Sequence, residues 1–285
     1  MIMKNTDTPQ KADCSAANCS LSSILDSVIC GDNLDVMRQW PNDSVDLVVT
    51  SPPYNNWRNR RTQKRKEEYW NRTNIHYGVC DDKMGDKEYA ERQVRILNEC
   101  VRVLKPTGTI VYNHKDAIFN GVATSPLEWI LKSDCVYRQR VTWDRGGMQA
   151  FNPVRFYRTE EDIYILGKEA KGFKWNKDAA KYLSIWRISP SSKKDHPASF
   201  PYAIPARCIE AFTAEGDVVL DPFAGSGTTL KAAKELNRRF IGIEINPEYA
   251  ILCQRQTSRN ELDLFSQENA KGDSRRADSP NSTGG

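Results

Sequence analysis

Residues 217–229 constrain the fold of this 285-residue chain more tightly than any other stretch. An apolar run, Val218, Val219 and Leu220, ends in Asp221. It passes through Pro222, Phe223, Ala224, Gly225, Ser226 and Gly227 and reaches Thr228 and Thr229, where a helix is predicted to begin. Strand, small-residue turn and helix in that order belong to an open α/β sheet, where a ligand can approach backbone amides and a helix N-terminus. Gly225 and Gly227 remove the β-carbons that would block such an approach. Further on, Phe240 to Glu244 reads as a second strand ending in an acid, placed to accept the hydroxyls of a ribose. The pair predicts a nucleoside-containing cofactor. A phosphate-binding loop would need a lysine after the second glycine, and a dinucleotide fingerprint a third glycine. Neither is present, so a cofactor without phosphates fits better.

The rest of the chain agrees with an α/β sheet. Short β-branched runs predict strands at 28–30, 45–50, 109–112, 136–143, 162–166, 218–221 and 240–244. The clearest helix covers 86–105, with Val94, Leu97, Val101 and Leu104 on one stripe and a stop at Pro106, Thr107 and Gly108. Further helices are expected at 124–132, 203–213, 228–237 and 247–258. Residues 55–82 and 168–198 follow neither period and read as long functional loops. The ends, 1–22 and 261–285, are too polar to bury a core and are expected to be disordered tails, leaving one domain over 23–260.

Composition excludes several classes. No apolar run is long enough for a membrane span, and the start of the chain lacks the layout of a secretory signal, so a cytoplasmic protein is expected. The eight cysteines form no Cys-x-x-Cys pair and only three histidines accompany them, so reduced thiols are expected and a metal site is not. A net charge of +4 says little, but its distribution is informative.

A second motif lies at the end of the strand at 45–50: Thr50, Ser51, Pro52, Pro53 and Tyr54. Two prolines fix the backbone in an extended turn. The turn presents a hydroxyl, a rigid carbonyl and an aromatic face in one small volume. Those groups can grip a planar base that bears an amino group: Ser51 and the Pro52 carbonyl accept its two hydrogens while Tyr54 stacks on the ring. Directly after it, Arg58, Arg60, Arg61, Lys64, Arg65 and Lys66 place six cations in nine residues, interleaved with Trp57, Tyr69 and Trp70. Beside a base-binding turn such a run suits phosphates. Residues 144–195 are a second nucleic-acid candidate, rich in lysine and tryptophan.

Over residues 27–258 the chain resembles the amino-methylating DNA methyltransferases of bacteria and phage, in the permuted group whose catalytic motif precedes the cofactor motif. The resemblance implies S-adenosylmethionine as cofactor, bound through Asp221, Pro222, Phe223, Gly225, Ser226, Gly227, Thr228 and Glu244, with Ser51, Pro52, Pro53 and Tyr54 as the catalytic turn. Cys30 to Asn33, with Asp32, is similar to the segment that contacts the cofactor adenine, and His196 to Pro201 to the one that packs Phe200 against its methionine end. The implied fold is a seven-stranded, mostly parallel Rossmann-like sheet with helices on both faces, circularly permuted motif order and the last strand antiparallel. Sequence recognition in the family usually comes from the region matching 144–195. The implied partners are double-stranded DNA and a cognate restriction endonuclease, and no Pro-Cys pair of the carbon-five cytosine enzymes is present. A serine at position 51 resembles the cytosine-N4 subgroup, whereas an aspartate marks the adenine-N6 subgroup, which stays the alternative. A nicotinamide-dependent oxidoreductase would also use a glycine turn and an acid but would have no use for Ser51 to Tyr54. A non-catalytic nucleic-acid binder would have none for Glu244.

Overall fold

The computed structural model describes residues 21–55, 84–147, 156, 158–190 and 201–258. A 3-10 turn at Leu21–Ile24 leads into β1 (Ser27–Cys30) and α1 (Asn33–Met37), followed by β2 (Val45–Thr50). Helix α2 (Asp86–Val103) runs straight into β3 (Leu104–His114). The hairpin β4 (Ala117–Phe119) and β5 (Val122–Thr124), then α3 (Leu127–Ile130), separate it from β6 (Val136–Asp144), β7 (Glu160–Gly167) and β8 (Ile185–Arg187). The described residues end in α4 (Ala203–Phe212), β9 (Val218–Asp221), α5 (Thr228–Glu235), β10 (Arg239–Glu244) and α6 (Pro247–Ser258).

Eight strands form one sheet in the order β1-β10-β9-β2-β3-β7-β6-β8. All seven expected strands are present, and β8 extends the β6 edge in parallel. The antiparallel strand is not the last in the chain, as expected, but β7, which runs against both β3 and β6. Strand β10 is parallel to β1 and β9. A strand returning antiparallel needs only a short connection, whereas each parallel pair needs a crossover.

Alternation along the strands builds two apolar layers. On one face Val48, Ile110, Tyr112, Leu220 and Ile243 meet Met37 of α1, Ile96, Leu97 and Cys100 of α2, and Ile130 of α3. On the other Leu47, Val49, Val111 and Val219 meet Ile204, Cys208 and Ile209 of α4, Leu230 of α5 and Cys253 of α6. A sheet covered on both faces explains the near-continuous apolar runs of its central strands. The buried side of α2 carries Tyr89, Gln93, Ile96, Leu97, Cys100 and Val101, a stripe turned from the expected one, and Val94 is only partly buried.

Other boundaries differ for physical reasons. The helix ends at Val103 and Leu104 is already strand, because residues 104–108 bring the chain beside β2, where Leu104 pairs with Val45. The expected helix at 124–132 is a single turn, since Thr124 pairs with Ala117 in the hairpin. Leu21 and Ser22, counted with the N-terminal tail from their composition, belong to the 3-10 turn, and Ile24 beside them is buried. The loop expected over 168–198 is in part structural through residue 190: it holds a 3-10 turn at Lys177–Lys181 and β8.

A buried carboxylate anchors the end of the sheet away from the two motifs. Asp46 is 1% exposed and accepts Lys105 Nζ at 2.7 Å, Lys174 Nζ at 2.9 Å and Val218 N–H at 3.1 Å. Burial would raise its pKa, but the two lysine hydrogen bonds outweigh burial and hold it below the usual carboxylate range. A group depressed in the fold stabilises above its unfolded pKa, and that contribution is lost as pH falls through the folded value. Asp46→Asn should therefore cost about 1.5–3 kcal/mol at pH 7 by urea unfolding, with the difference from the parent shrinking below about pH 4.

Candidate active site

The two motifs end on adjacent strands. β2 and β9 pair in parallel, Leu47 beside Val219 and Val48 beside Leu220, so Thr50 and Asp221 emerge together at one edge of the sheet. Thr50 Oγ1 donates to Asp221 Oδ1 at 2.8 Å across 171 residues of chain. Asp221, 2% exposed, also accepts Phe223 N–H at 3.0 Å and so shapes the turn that follows it.

That turn is held from β10. Ala224 N–H donates to the Ile243 carbonyl at 2.9 Å, and Gly225 N–H to Glu244 Oε2 at 2.8 Å. The other oxygen of Glu244 accepts Asn246 N–H at 2.9 Å. An ionised carboxylate has about four acceptor positions; the Ile245 N–H engages a third, which leaves room for one ligand donor. Burial raises the Glu244 pKa against the lowering effect of these backbone donors. Gly227 sits at φ +87°, and a β-carbon there would lie 2.6 Å from Cys253 Sγ. The turn thus needs glycine at 227 for its own backbone and its packing on α6. Ser226 is buried, and Thr228 opens α5, whose first turn has no side-chain cap.

The segment after β1 closes the other side. Gly31 N–H donates to the Glu244 carbonyl at 3.0 Å, and Asn33 Nδ2 to the Pro222 carbonyl at 3.2 Å. Asn33 Oδ1 is buried with no partner among the described residues. Asp32, expected here as a cofactor contact, is engaged within the protein. It caps α1 through Leu34 and Asp35 N–H and pairs with Arg92 at 2.6 Å. Although burial opposes it, Arg92 keeps the Asp32 pKa below the usual range.

At the catalytic turn the side chains are ordered from β3, β7 and α2. Tyr89 Oη donates to the Pro53 carbonyl at 2.7 Å and meets His114 Nε2 at 2.9 Å. His114 Nδ1 lies 2.9 Å from Lys115 N and 2.8 Å from the Lys115 carbonyl oxygen; Tyr89 spends its one proton on Pro53, which assigns the ring proton to Nε2, facing Tyr89. Burial drives the His114 pKa down to about 3, so the ring is neutral at any working pH. Tyr54 packs against it, ring centroids 4.5 Å apart, with Lys115 Nζ 5.1 Å from the Tyr54 centroid. The Tyr54 hydroxyl donates to Glu161 Oε2 at 2.8 Å and lies 3.0 Å from Ser51 Oγ. Asn113 Nδ2 lies 2.7 Å from Tyr54 Oη, 3.1 Å from Glu161 Oε2 and 3.3 Å from Ser51 Oγ.

The turn at Ser51–Tyr54 and the turn at Asp221–Thr228 thus leave adjacent strands and are tied by one hydrogen bond. The family model described as DNA methylase, of the N6/N4 type, matches residues 45–255. The chain belongs to that family. The methylase is 32% identical to the type II methyltransferase M.HpaI of Haemophilus parainfluenzae, over 78% of this chain and 71% of the relative. It is 30% identical to M.BglII of Bacillus subtilis, over 79% and 67%. Among solved structures it is similar to the DNA modification methylase TTHA0409 of Thermus thermophilus in complex with S-adenosylmethionine. That match has 25% identity and a TM-score of 0.60 over 82% of this chain and 93% of that one. The cytosine-N4-specific PvuII DNA methyltransferase shares the fold, with 21% identity and a TM-score of 0.64 over 85% and 91%.

The methylase therefore uses S-adenosylmethionine, and its residues suit that molecule. Glu244 retains an acceptor position, Asn33 Oδ1 is a buried acceptor awaiting a donor, and the Gly225–Gly227 turn is fixed from behind by β10 and α6. Of the expected site residues, Ser51, Pro52, Pro53, Tyr54, Asp221, Pro222, Phe223, Gly225, Ser226, Gly227, Thr228 and Glu244 all lie along this one edge. Phe200 and the six cations Arg58, Arg60, Arg61, Lys64, Arg65 and Lys66 lie outside the described residues, as do 261–285 and part of 144–195. Asn33, Tyr89, Asn113, His114, Arg145 and Glu161 did not stand out in the sequence as site residues, although Asn33 lies inside the segment Cys30 to Asn33 and Arg145 and Glu161 inside the nucleic-acid candidate 144–195. Among the described residues no helix is long and apolar enough to cross a membrane.

Burial, opposed by hydrogen bonds that include Thr50, lifts the Asp221 carboxyl to about 6. A carboxyl raised in the fold is at its most favourable below the unfolded pKa of about 3.9, and that advantage is lost as pH rises through the folded value. Across that window the shift is worth about 2–3 kcal/mol. Asp221→Asn removes the titration. In urea unfolding at pH 4 and pH 7, the stability difference should move toward the variant by that amount at the higher pH.

Proposed function

We propose that this enzyme methylates N4 of cytosine in double-stranded DNA, with N6 of adenine as the second reading. The observation that carries the choice is Ser51, a neutral hydroxyl where the adenine subgroup of the resembled family has an aspartate. An exocyclic amine is a weak nucleophile because its lone pair is delocalised into the ring. Ser51 Oγ and the Pro52 carbonyl accept its two hydrogens, which draws the nitrogen toward tetrahedral geometry and frees the lone pair. Tyr89 occupies the neighbouring Pro53 carbonyl and so stiffens the turn that presents both acceptors. When bound, S-adenosylmethionine supplies an electrophilic methyl group on a positively charged sulfur. The amine must shed a proton as it gains the methyl, and that proton is lost to solvent. Positioning and fixed dipoles carry most of the acceleration.

The target base must leave the duplex, at a cost of a few kcal/mol. Tyr54 returns part of that by stacking. The cations at 58–66 follow the catalytic turn directly and neutralise phosphates around the extruded base, with residues 144–195 contributing to sequence reading. Glu244 and Asn33 hold the nucleoside end of the cofactor, and the turn from Asp221 to Thr228, with Phe200, holds the rest. A cognate restriction endonuclease is the partner such an enzyme protects against.

Three measurements test this reading. Mass spectrometry of nucleosides from DNA incubated with the enzyme and cofactor should show N4-methylcytosine. N6-methyladenine alone would move the target to adenine, and carbon-five methylcytosine would sink the mechanism. By calorimetry, Glu244→Gln should bind the cofactor more weakly by about 1–3 kcal/mol, because one acceptor becomes a donor facing a ribose hydroxyl. Replacing Arg60, Arg61, Lys64 and Arg65 with alanine should flatten the salt dependence of duplex binding by up to about 3–4 units, at about 0.9 per phosphate contact.

A further inference from the structure

The hydroxyl of Ser51 can help or hinder, depending on where its single proton points. An outward lone pair accepts an N–H from the base, whereas an outward O–H would bind the nitrogen lone pair that must attack. The neighbours of Ser51 settle the direction. Glu161 is 7% exposed at its side chain and held in place by Arg145 Nη1, 2.6 Å from Oε1. A carboxylate can only accept, so the 2.8 Å contact from Tyr54 Oη to Glu161 Oε2 uses the one proton of Tyr54. The same rule turns the Asn113 amide nitrogen, not its oxygen, toward Glu161. Tyr54 Oη then has only lone pairs for Ser51 Oγ, 3.0 Å away. Two hydroxyl oxygens at that distance without a proton between them would repel, so Ser51 donates inward. Burial and the neighbouring Glu161 hold the Tyr54 pKa well above its ordinary value, so this proton is always present at working pH.

We infer that Glu161 is a positioning residue: anchored by Arg145, it sets a one-way chain of donors, Ser51 to Tyr54 to Glu161, that leaves Ser51 Oγ facing the base as an acceptor. The inference rests on the reading that Ser51 holds the base amine. It concerns residues on β7 and in the turn after β6, far in sequence from both motifs. Glu161→Gln keeps the shape but places an amide donor against Tyr54 Oη. The Tyr54 proton then loses its carboxylate acceptor, and the one-way order that holds the Ser51 proton inward is lost.

The test is steady-state methylation of duplex DNA by Glu161→Gln, Ser51→Ala and the double variant, with cofactor affinity as the control for folding. Glu161→Gln should lower kcat on the order of 10²-fold, the scale of losing one preorganised hydrogen bond. The KM for DNA and cofactor affinity should change by less than about threefold, because stacking and the glycine turn are untouched. In the Ser51→Ala background, Glu161→Gln should cost no further kcat. Equal losses in both backgrounds would show that Glu161 only supports the fold and would overturn the inference. Full activity of Glu161→Gln alongside an impaired Ser51→Ala would overturn it too, while leaving the reading of Ser51 intact. Full activity of Ser51→Ala would remove both. If Glu161→Gln fails to bind cofactor, Tyr54→Phe decides, since it keeps the ring and breaks the chain: a kcat loss of the same order is expected, and an unchanged kcat overturns the proposal.

Discussion

The pairing of β2 with β9 is the constraint on which the site depends. Neither strand is near the other in the chain, yet their parallel register brings Thr50 and Asp221 out at the same edge, joined by a hydrogen bond of 2.8 Å. A register shift by one residue would turn each strand's side chains to the opposite face. It would carry Val48 and Leu220 out of one apolar layer and Leu47 and Val219 out of the other. The hydrophobic layers therefore enforce the register, and the register places the base-gripping turn beside the cofactor turn. The helices on both faces serve the same end, because a central parallel strand pair is stable only when covered.

Polar groups divide between the two ends of the sheet by what surrounds them. At the anchored end, Asp46 meets two lysines, and their hydrogen bonds overcome the cost of burial. At the other edge, Asp221 and Glu244 are buried beside backbone donors and a hydroxyl, with no cation among their hydrogen-bond partners in the described residues, and both are pushed upward. The same low-dielectric edge strips His114 of its charge and keeps Tyr54 protonated. The chain spends stability here that it recovers at the other end, as sites often do.

Much of this was legible in the sequence, for reasons that can be stated. Gly225, Gly227 and Glu244 carry a local signal, since a turn, a close approach and a strand end each demand a residue type at a fixed spacing. Ser51 to Tyr54 do the same through two adjacent prolines. Asn113 and Glu161 were not legible, because they meet only where β3 and β7 pair, Asn113 beside Ile163, and no short window contains both. Arg145 is paired with Glu161 by the return of the chain from β6 into β7. The hairpin at 117–124 did carry a usable signal, Asn120 and Gly121 with positive φ between two apolar-containing triplets, a turn type that favours such a pair. The expected helix there lost to it. The turned stripe on α2 has a different origin: Tyr89 and Gln93 are buried because their polar ends reach Pro53, His114 and Tyr112, which hydropathy alone does not credit.

The permuted order of motifs has a consequence for how the sheet can assemble. Strand β10, the last in the chain, lies between β9 and β1, the first. β1 thus has no sheet neighbour until β10 arrives, and the bond from Phe240 N–H to Asp26 spans 214 residues. Glu244 lies at the end of β10 and props Gly225, so the glycine turn reaches its final form only with that same insertion. Asn33 and Gly31, which follow β1, dock on Pro222 and Glu244 and depend on it as well. The half from β2 to β7 is joined by nearer neighbours, and its catalytic turn is braced by α2, β3 and β7 without help from β10. Contacts of such long separation are costly in loop entropy and form late. The half that carries Ser51–Tyr54 can therefore be in place before the half that carries Asp221–Glu244 closes, and closure joins the two through Asp221 and Thr50.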